Sequence, residues 1–500
     1  TAILLISSVI IVYSFFYIVP YFKSSYFLWT TFIFIVSILF VVLISNIFYI
    51  MLGWDGLGVV SFFLIVFYQN SSSINSGIFT LLMNRIGDGF YLIAICFIVF
   101  LSPDFFTSYS VLDSSFLLPL FLVVTFITKR AIFPFSSWLP IAIAAPTPIS
   151  ALVHSSTLVT SGLYLIMRYS YIIYSSILLT KILVVLCLFT SFYAGLNTIF
   201  EMDLKKLIAL STLSHLGFIG FSYASGLLFF SFFHLLCHAL FKSLLFITIG
   251  DIIIALNHSQ DIRYLSSGYG YTPFSVTVIY VSLLNLLGIP NISGYFSKDL
   301  VLEIFSYRNF SYSLTLVLYF NVFFTYFYTY QLFYYSYSSC KVSPFQIFNS
   351  PSSFHSFLIL ALGLVSILFG KFFLDFISSI SLFVCIPSEL KFIPLILNIF
   401  CFVFLVIYIS FPSSNSSLSS FYFSSMLFLT PVLIRVSSFS YFKFCFIIVK
   451  DIELGLLNKF IHCTLSSVVY SVGRSSFYLY RFNYLFLACF ITFSIFLIFI

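Results

Sequence analysis

His234, His238 and Lys242 follow one another at intervals of four in an otherwise apolar run. On a helix they line one stripe about 12 Å long. Imidazole changes charge near neutral pH, and a buried lysine can be tuned to exchange its proton. Such a file suits the handing-on of protons. Two other readings fit the same spacing. Three core residues can share a face without doing chemistry. Paired histidines can also hold zinc, but Leu235 stands where a metalloprotease needs Glu.

Other ionisable residues interrupt apolar runs. Asp55 lies in Gly53-Trp54-Asp55-Gly56-Leu57-Gly58, where the glycines allow close helix contact. Their spacing fails the dinucleotide fingerprint, which leaves a helix-capping Asp or a buried carboxylate. Arg85 and Asp88 are three apart and can pair on one helix face, as a structural or a functional couple. Lys129 stands next to a break in the helical pattern. Burial disfavours its charged form and a nearby carboxylate favours it, which is the physics of a proton switch. His154 follows Ser150-Ala151-Leu152-Val153 and reads either as a relay or as a hydrogen-bonded core histidine. Lys298 follows a second break, with Asp299 next and Glu303 beyond, so acid and lysine recur there. Asp203, Lys205 and Lys206 read as a solvated helix-end cluster.

The elements that must position these groups are membrane helices. Of 500 residues, 61% are hydrophobic and 7% charged, against about a quarter charged in soluble domains. The mean hydropathy is +1.16. No soluble fold buries this apolar fraction and still presents a polar surface. A charge at mid-bilayer costs about 2.5–3.5 kcal/mol on insertion scales, so charges inside the spans are expected to be paired and functional. The net charge of +7 comes from single charges in loops, with no basic face interleaved with aromatics, which excludes nucleic acid. Nine cysteines lie scattered without C-x-x-C spacing, against an iron–sulfur or zinc-ribbon site. The abundance of Phe, Ile, Tyr and Ser points to AT-rich codons and an organellar genome.

Apolar runs at 2–20, 28–47, 49–68, 78–101, 116–135, 148–168, 176–199, 206–224, 226–250, 274–292, 296–308, 311–336, 355–379, 392–411 and 482–500 read as spans or half-spans. They give about 13 or 14 crossings. Trp29, Trp54 and Trp138 fall near span ends or breaks, where interfacial aromatic anchors are expected. Two breaks are alike: Lys129 to Pro134 with Trp138-Leu139-Pro140, and Gly288-Ile289-Pro290 with Gly294 and Lys298. Paired broken segments are the mark of an inverted-repeat transporter, although two proline kinks would look similar. Toward the end, Asp451, Asn458, His462 and Ser466 form one polar stripe, as in a long amphipathic helix lying along the membrane or along partner helices.

The strings Gly53-Trp54-Asp55-Gly56, Asn84-Arg85-Ile86-Gly87-Asp88, Trp138-Leu139-Pro140, Ala145 to Thr157, His238-Ala239-Leu240-Phe241-Lys242 and Gly294-Tyr295-Phe296-Ser297-Lys298-Asp299 occur in this order. Together they resemble NADH-ubiquinone oxidoreductase chain 5, the antiporter-like subunits of mitochondrial respiratory complex I. The resemblance covers nearly the whole chain and is strongest from Gly53 to Glu303. It implies an all-α, polytopic transmembrane helix bundle with two inverted repeats, each with a broken helix. It also implies a C-terminal amphipathic lateral helix and a terminal transmembrane anchor. The expected divisions are N-terminal helices at 1–47, repeats at 28–168 and 176–308, further helices at 309–420, the lateral helix at 421–481 and the anchor at 482–500.

By position, Asp55 matches the carboxylate paired with the first broken-helix lysine, which is Lys129. His154 and Lys242 match the central relay, with His234 and His238 beside it, and Lys298 matches the second broken-helix lysine. Arg85, Asp88 and Asp299 fall in the same strings as further candidates. The family's carboxylate is often Glu, so the shorter Asp55 is expected to need water or a closer helix to reach Lys129. About two helices are expected before Thr1. The implied function is proton translocation across the mitochondrial inner membrane, driven by electron transfer from NADH to ubiquinone. The resemblance places no cofactor on this chain; NADH, FMN, iron–sulfur clusters and ubiquinone belong to the complex. Its implied partners are the other membrane-arm subunits, especially antiporter-like ones along the lateral helix, and membrane lipids. A cation/proton antiporter subunit and a mainly structural strut of the membrane arm are the alternatives.

Overall fold

The computed structural model describes residues 1–18, 24–101, 116–256, 258–267, 272–307, 311–337, 353–378 and 387–410. The expected amphipathic stretch at 421–481 and the anchor at 482–500 lie outside these residues. Among the described residues all extended regular structure is helical, with one isolated bridge between Asp203 and Asp261. Helices prevail because lipid cannot satisfy free amides and carbonyls, so each segment must close its own hydrogen bonds.

The principal helices are α1 (Ala2–Ile18), α2 (Ser24–Leu43), α3 (Ile47–Ile65), α4 (Ser71–Leu101), α5 (Leu117–Arg130), α6 (Leu158–Arg168), α7 (Ile177–Phe200), α8 (Leu204–Ala224), α9 (Leu228–Ala255), α10 (Pro273–Leu287), α11 (Leu300–Tyr307), α12 (Tyr312–Tyr337), α13 (Ser353–Ser378) and α14 (Ser388–Ser410). Ten segments among the described residues are long and apolar enough to cross a bilayer. Two more, α1 and α10, are apolar but shorter.

Burial ranks the helices. The apolar length of α8 is buried throughout, whereas α14 exposes most of its surface, including Ile396, Ile399 and Phe400. Helix α8 packs between α7 and α9, and α9 continues the core to α10 and α13. Helices α3, α4 and α5 pack in sequence, and α6 lies on α5. Two of the three tryptophans depart from the interfacial expectation. Trp29 is exposed, but Trp54 and Trp138 are fully buried, drawn inward by a lysine and by a broken helix.

Both expected breaks are present. Helix α5 ends where Ala131 turns left-handed at φ 59°, with the Ile132 amide bonded to the Ile127 carbonyl at 3.2 Å. Short turns then run to Ala144. The Trp138 indole donates to the Thr128 carbonyl at 2.9 Å, which satisfies a group that the break sets free. Helix α10 ends likewise at Gly288, φ 70°. Here Asn285 holds the break together: Ser293 donates to its side-chain oxygen at 2.9 Å, and its amide donates to Ser366 at 3.2 Å.

At Gly294 a Cβ would overlap the Asn285 backbone carbonyl, which has no freedom to withdraw. Gly294→Ala should therefore cost about 1–3 kcal/mol or more through overpacking. The midpoint of thermal unfolding in mild detergent should fall, and an unchanged midpoint would show that the break can relax.

Two stretches are wound as π-helix, Ser150–Thr157 leading into α6 and Tyr295–Asp299 leading into α11. The wider winding leaves backbone groups imperfectly paired, and such segments are frequent at functional sites. They hold His154 and Lys298.

Candidate functional site

The first cluster lies where α3, α4 and α5 meet. Lys129 is in the last turn of α5, where the helix dipole favours a cation by about 0.3–1 kcal/mol. Its ammonium donates to the Trp54 carbonyl at 2.5 Å and sits over the Trp54 ring, 3.8 Å from its centre. Its ion-pair partner is Asp88, with Nζ to Oδ1 at 3.5 Å. This corrects the expected pairing, because Asp55 makes no direct ion pair with Lys129. Asp55 instead meets Arg85 at 3.7 Å, and Arg85 meets Asp88 at 3.6 Å. The groups form a ladder, Asp55–Arg85–Asp88–Lys129. It passes from side chains 35% and 47% exposed at Asp55 and Arg85 to 5% and 0% at Asp88 and Lys129. Asp55 is short, as expected, and Asp88 does the reaching.

Arg130, the last residue of α5, is a buried cation. Its guanidinium donates to the Leu216 carbonyl of α8. It fills the space in which Gly220 would carry a Cβ. No carboxylate pairs with it among the described residues.

His154 is buried on the π-helical stretch, its ring 6.2 Å from that of Trp138. It faces the Ala142 backbone without a well-formed hydrogen bond, and both ring nitrogens lack partners among the described residues. The stretch packs against α9, the helix of Lys242.

The central group is built across α8, α9 and α12. Lys242 donates to the Ser211 hydroxyl at 2.6 Å and lies 5.6 Å from the centre of the Tyr328 ring. The Tyr328 hydroxyl bonds His215 Nε2 at 3.0 Å and lies beside the Ser211 hydroxyl. The His215 ring is 5.8 Å from that of His234 and 5.6 Å from that of His238. His234 Nδ1 then meets the Ser297 hydroxyl at 3.0 Å. Ser297 is the residue before Lys298, whose ammonium donates to Thr325 at 2.8 Å and to the Leu286 carbonyl at 3.2 Å. The Lys298 ammonium also lies 4.2 Å from the centre of the Tyr326 ring. Every one of these residues is buried.

Asp299 points back at the break, against Gly288, and makes no ion pair with Lys298. Glu303 is buried beyond it, with Lys391 as its favourable charge. The expected solvated cluster is divided: Lys206 meets Asp203 at 2.6 Å, whereas Lys205 is buried. In the loop before α8, burial pushes the Glu201 carboxyl up, partly offset by Lys206. Among the described residues no three His, Cys, Asp or Glu side chains converge as metal ligands.

His215, Tyr328, Ser211 and Arg130 were not foreseen. A lone His in an apolar run was the available signal for His215, the same signal that picked out His154. Tyr328 gives none in a chain with 35 tyrosines.

The family described as NADH:quinone oxidoreductase/Mrp antiporter, transmembrane, matches residues 45–325. NADH-ubiquinone oxidoreductase chain 5 of Locusta migratoria is 41% identical over 397 residues, which is 78% of this chain and 69% of that protein. The protein of the same name from Anopheles quadrimaculatus is 35% identical over 454 residues, 88% of this chain and 78% of its own length. That from Mytilus edulis is 44% identical over 304 residues, where the chain spans 53% of its relative. Among solved structures, the Mrp complex from a Dietzia species superimposes with a TM-score of 0.63 at 18% identity, over 86% of this chain and 51% of that one. The membrane-bound sulfane sulfur reductase, an archaeal respiratory membrane complex, gives 0.63 at 18% identity, over 80% and 82%. At that identity the likeness is one of fold.

Proposed function

The chain belongs to the NADH-ubiquinone oxidoreductase chain 5 family, and on that premise we propose that it is a proton-translocating membrane subunit of complex I. In this reading it lies in the mitochondrial inner membrane with the other membrane-arm subunits. NADH, FMN, iron–sulfur clusters and ubiquinone do their chemistry on other subunits. The segments 28–168 and 176–308 are its two repeats.

Protons move along Asp55, Asp88, Lys129, His154, Lys242, His238, His234 and Lys298, with Arg85 joining the two carboxylates of the first cluster. The observation that carries this is the buried polar run from Lys242 to Lys298, where hydroxyls stand between the titratable groups. The two ends differ in kind. Lys129 faces a carboxylate, whereas Lys242 and Lys298 are held by hydroxyls, a carbonyl and aromatic faces. The neutral partners of Lys242 hold its ammonium without a fixed counter-charge, whereas Lys298 also feels the buried Asp299 carboxylate, so the proton on Lys242 responds most freely to charges that arrive nearby.

The drive is electrostatic. A unit charge arriving 8 Å away, at an effective dielectric near 20, changes a neighbour's energy by about 2 kcal/mol. That is about a thirtyfold change in its protonation equilibrium. One site's change thus prompts the next.

Lys242→Ala tests the reading. With assembly of the complex checked on native gels, protons moved per electron pair should fall below wild type. Full assembly with an undiminished ratio would remove Lys242 from the path and this function with it.

A further inference from the structure

We propose that Tyr328 is itself a proton-conducting residue, whose hydroxyl joins Lys242 and Ser211 to His215. The inference rests on the reading of Lys242 as a proton carrier and deepens it.

Two stations on α8, Ser211 and His215, are four residues apart and face the same way, about 6 Å apart along the axis. They do not bond each other: Ser211 donates to the Ile208 carbonyl and His215 meets Tyr328. Tyr328, from α12, enters beside both: its hydroxyl bonds His215 Nε2 at 3.0 Å and lies next to the Ser211 hydroxyl. Lys242 approaches the same point from α9 and donates to Ser211 at 2.6 Å. Three helices therefore converge on one phenolic hydroxyl. It is fully buried, so bulk water does not stand in for it.

The proton count closes without ionising the phenol. Lys242 Nζ gives a proton to Ser211 Oγ. Ser211, whose own proton otherwise reaches the Ile208 carbonyl at 2.7 Å, turns that proton to the Tyr328 oxygen. Tyr328 gives its proton to His215 Nε2. Lys242 ends as a neutral amine, His215 as an imidazolium, and each hydroxyl keeps one hydrogen. His215 then lies within ring contact of both His234 and His238, and His234 reaches Ser297 beside Lys298. Lys242 makes no hydrogen bond to His238, although the two are one turn apart on α9. The path leaves α9 and returns to it.

The test is Tyr328→Phe, which keeps the ring beneath Lys242 and removes only the hydroxyl. His215→Gln is its companion, since an amide can hold a hydrogen bond but cannot take up the charge. The assembled complex in sealed vesicles, driven by NADH, is measured for protons moved per electron pair, beside Lys242→Ala. Both variants should fall to the Lys242→Ala ratio. If Lys242→Ala is lowered and Tyr328→Phe keeps the full ratio, protons bypass the hydroxyl; the inference is overturned and the proposed function stands. If Lys242→Ala itself keeps the full ratio, both fall. Should Tyr328→Phe fail to assemble, His215→Gln decides by the same two outcomes.

Discussion

Asp88→Asn should damage the protein far more than Asp55→Asn. The two carboxylates flank the same Arg85, at 3.6 and 3.7 Å, so a reading from Arg85 alone makes them equal. Lys129 separates them. Its ammonium is wholly buried and 3.5 Å from Asp88, itself 5% exposed. Removing one partner of a buried pair leaves an uncompensated charge, at a cost of about 3–5 kcal/mol. Asp55 is 35% exposed and meets an Arg85 that is 47% exposed. A pair of that kind is worth about 0–1 kcal/mol. Thermal stability of the complex in detergent, together with protons moved per electron pair, should therefore drop sharply for Asp88→Asn and slightly for Asp55→Asn. Equal losses, or a larger loss at Asp55, would return Lys129's counter-charge to Asp55.

Lys298→Met is the second large effect. Methionine keeps the length and apolar stem of the side chain and removes the charge. Three partners lose the ammonium at once: Thr325, the Leu286 carbonyl freed at the break, and the face of Tyr326. A hydrogen bond to a charged group contributes about 1.5–3 kcal/mol, and the carbonyl is left buried without it. Some of this is offset, because the charge itself no longer has to be kept out of water. The buried Asp299 carboxylate also loses the favourable charge of Lys298, so stability should fall, while proton movement should be lost along the second half of the path. A complex that unfolds earlier but moves protons at the full ratio would make Lys298 a structural cap of the broken helix.

Much of this site was legible because helices repeat. The four-residue spacing of His234, His238 and Lys242 placed them on one stripe of α9, and all three do face the α8–α12 side. The breaks were legible because Pro and Gly, which weaken a helix, cluster at each of them, close to a lysine. Distances across helices leave no mark in spacing. Arg85 and Asp88 could be paired along α4, but that Asp88 also reaches α5 depends on how closely α4 and α5 pack. The hydroxyls of Ser211, Thr325 and Tyr328 are common residue types in a membrane helix, where Ser ordinarily bonds its own backbone, so their use as bridges depends on neighbours from other helices. The π-winding around His154 and Lys298 was hidden for a similar reason, since it changes registry without changing which residues are apolar.

The central claim is that Lys242 and Lys298 serve one path in series. Protons moved per electron pair by the assembled complex in sealed vesicles test it most directly, for Lys242→Ala, Lys298→Met and the two together. Groups that act as one unit are not additive. The double variant should lose no more than the greater of the two singles, because a path cut once carries nothing further. A full ratio in either single variant, or a double loss equal to the sum of both, would contradict the claim.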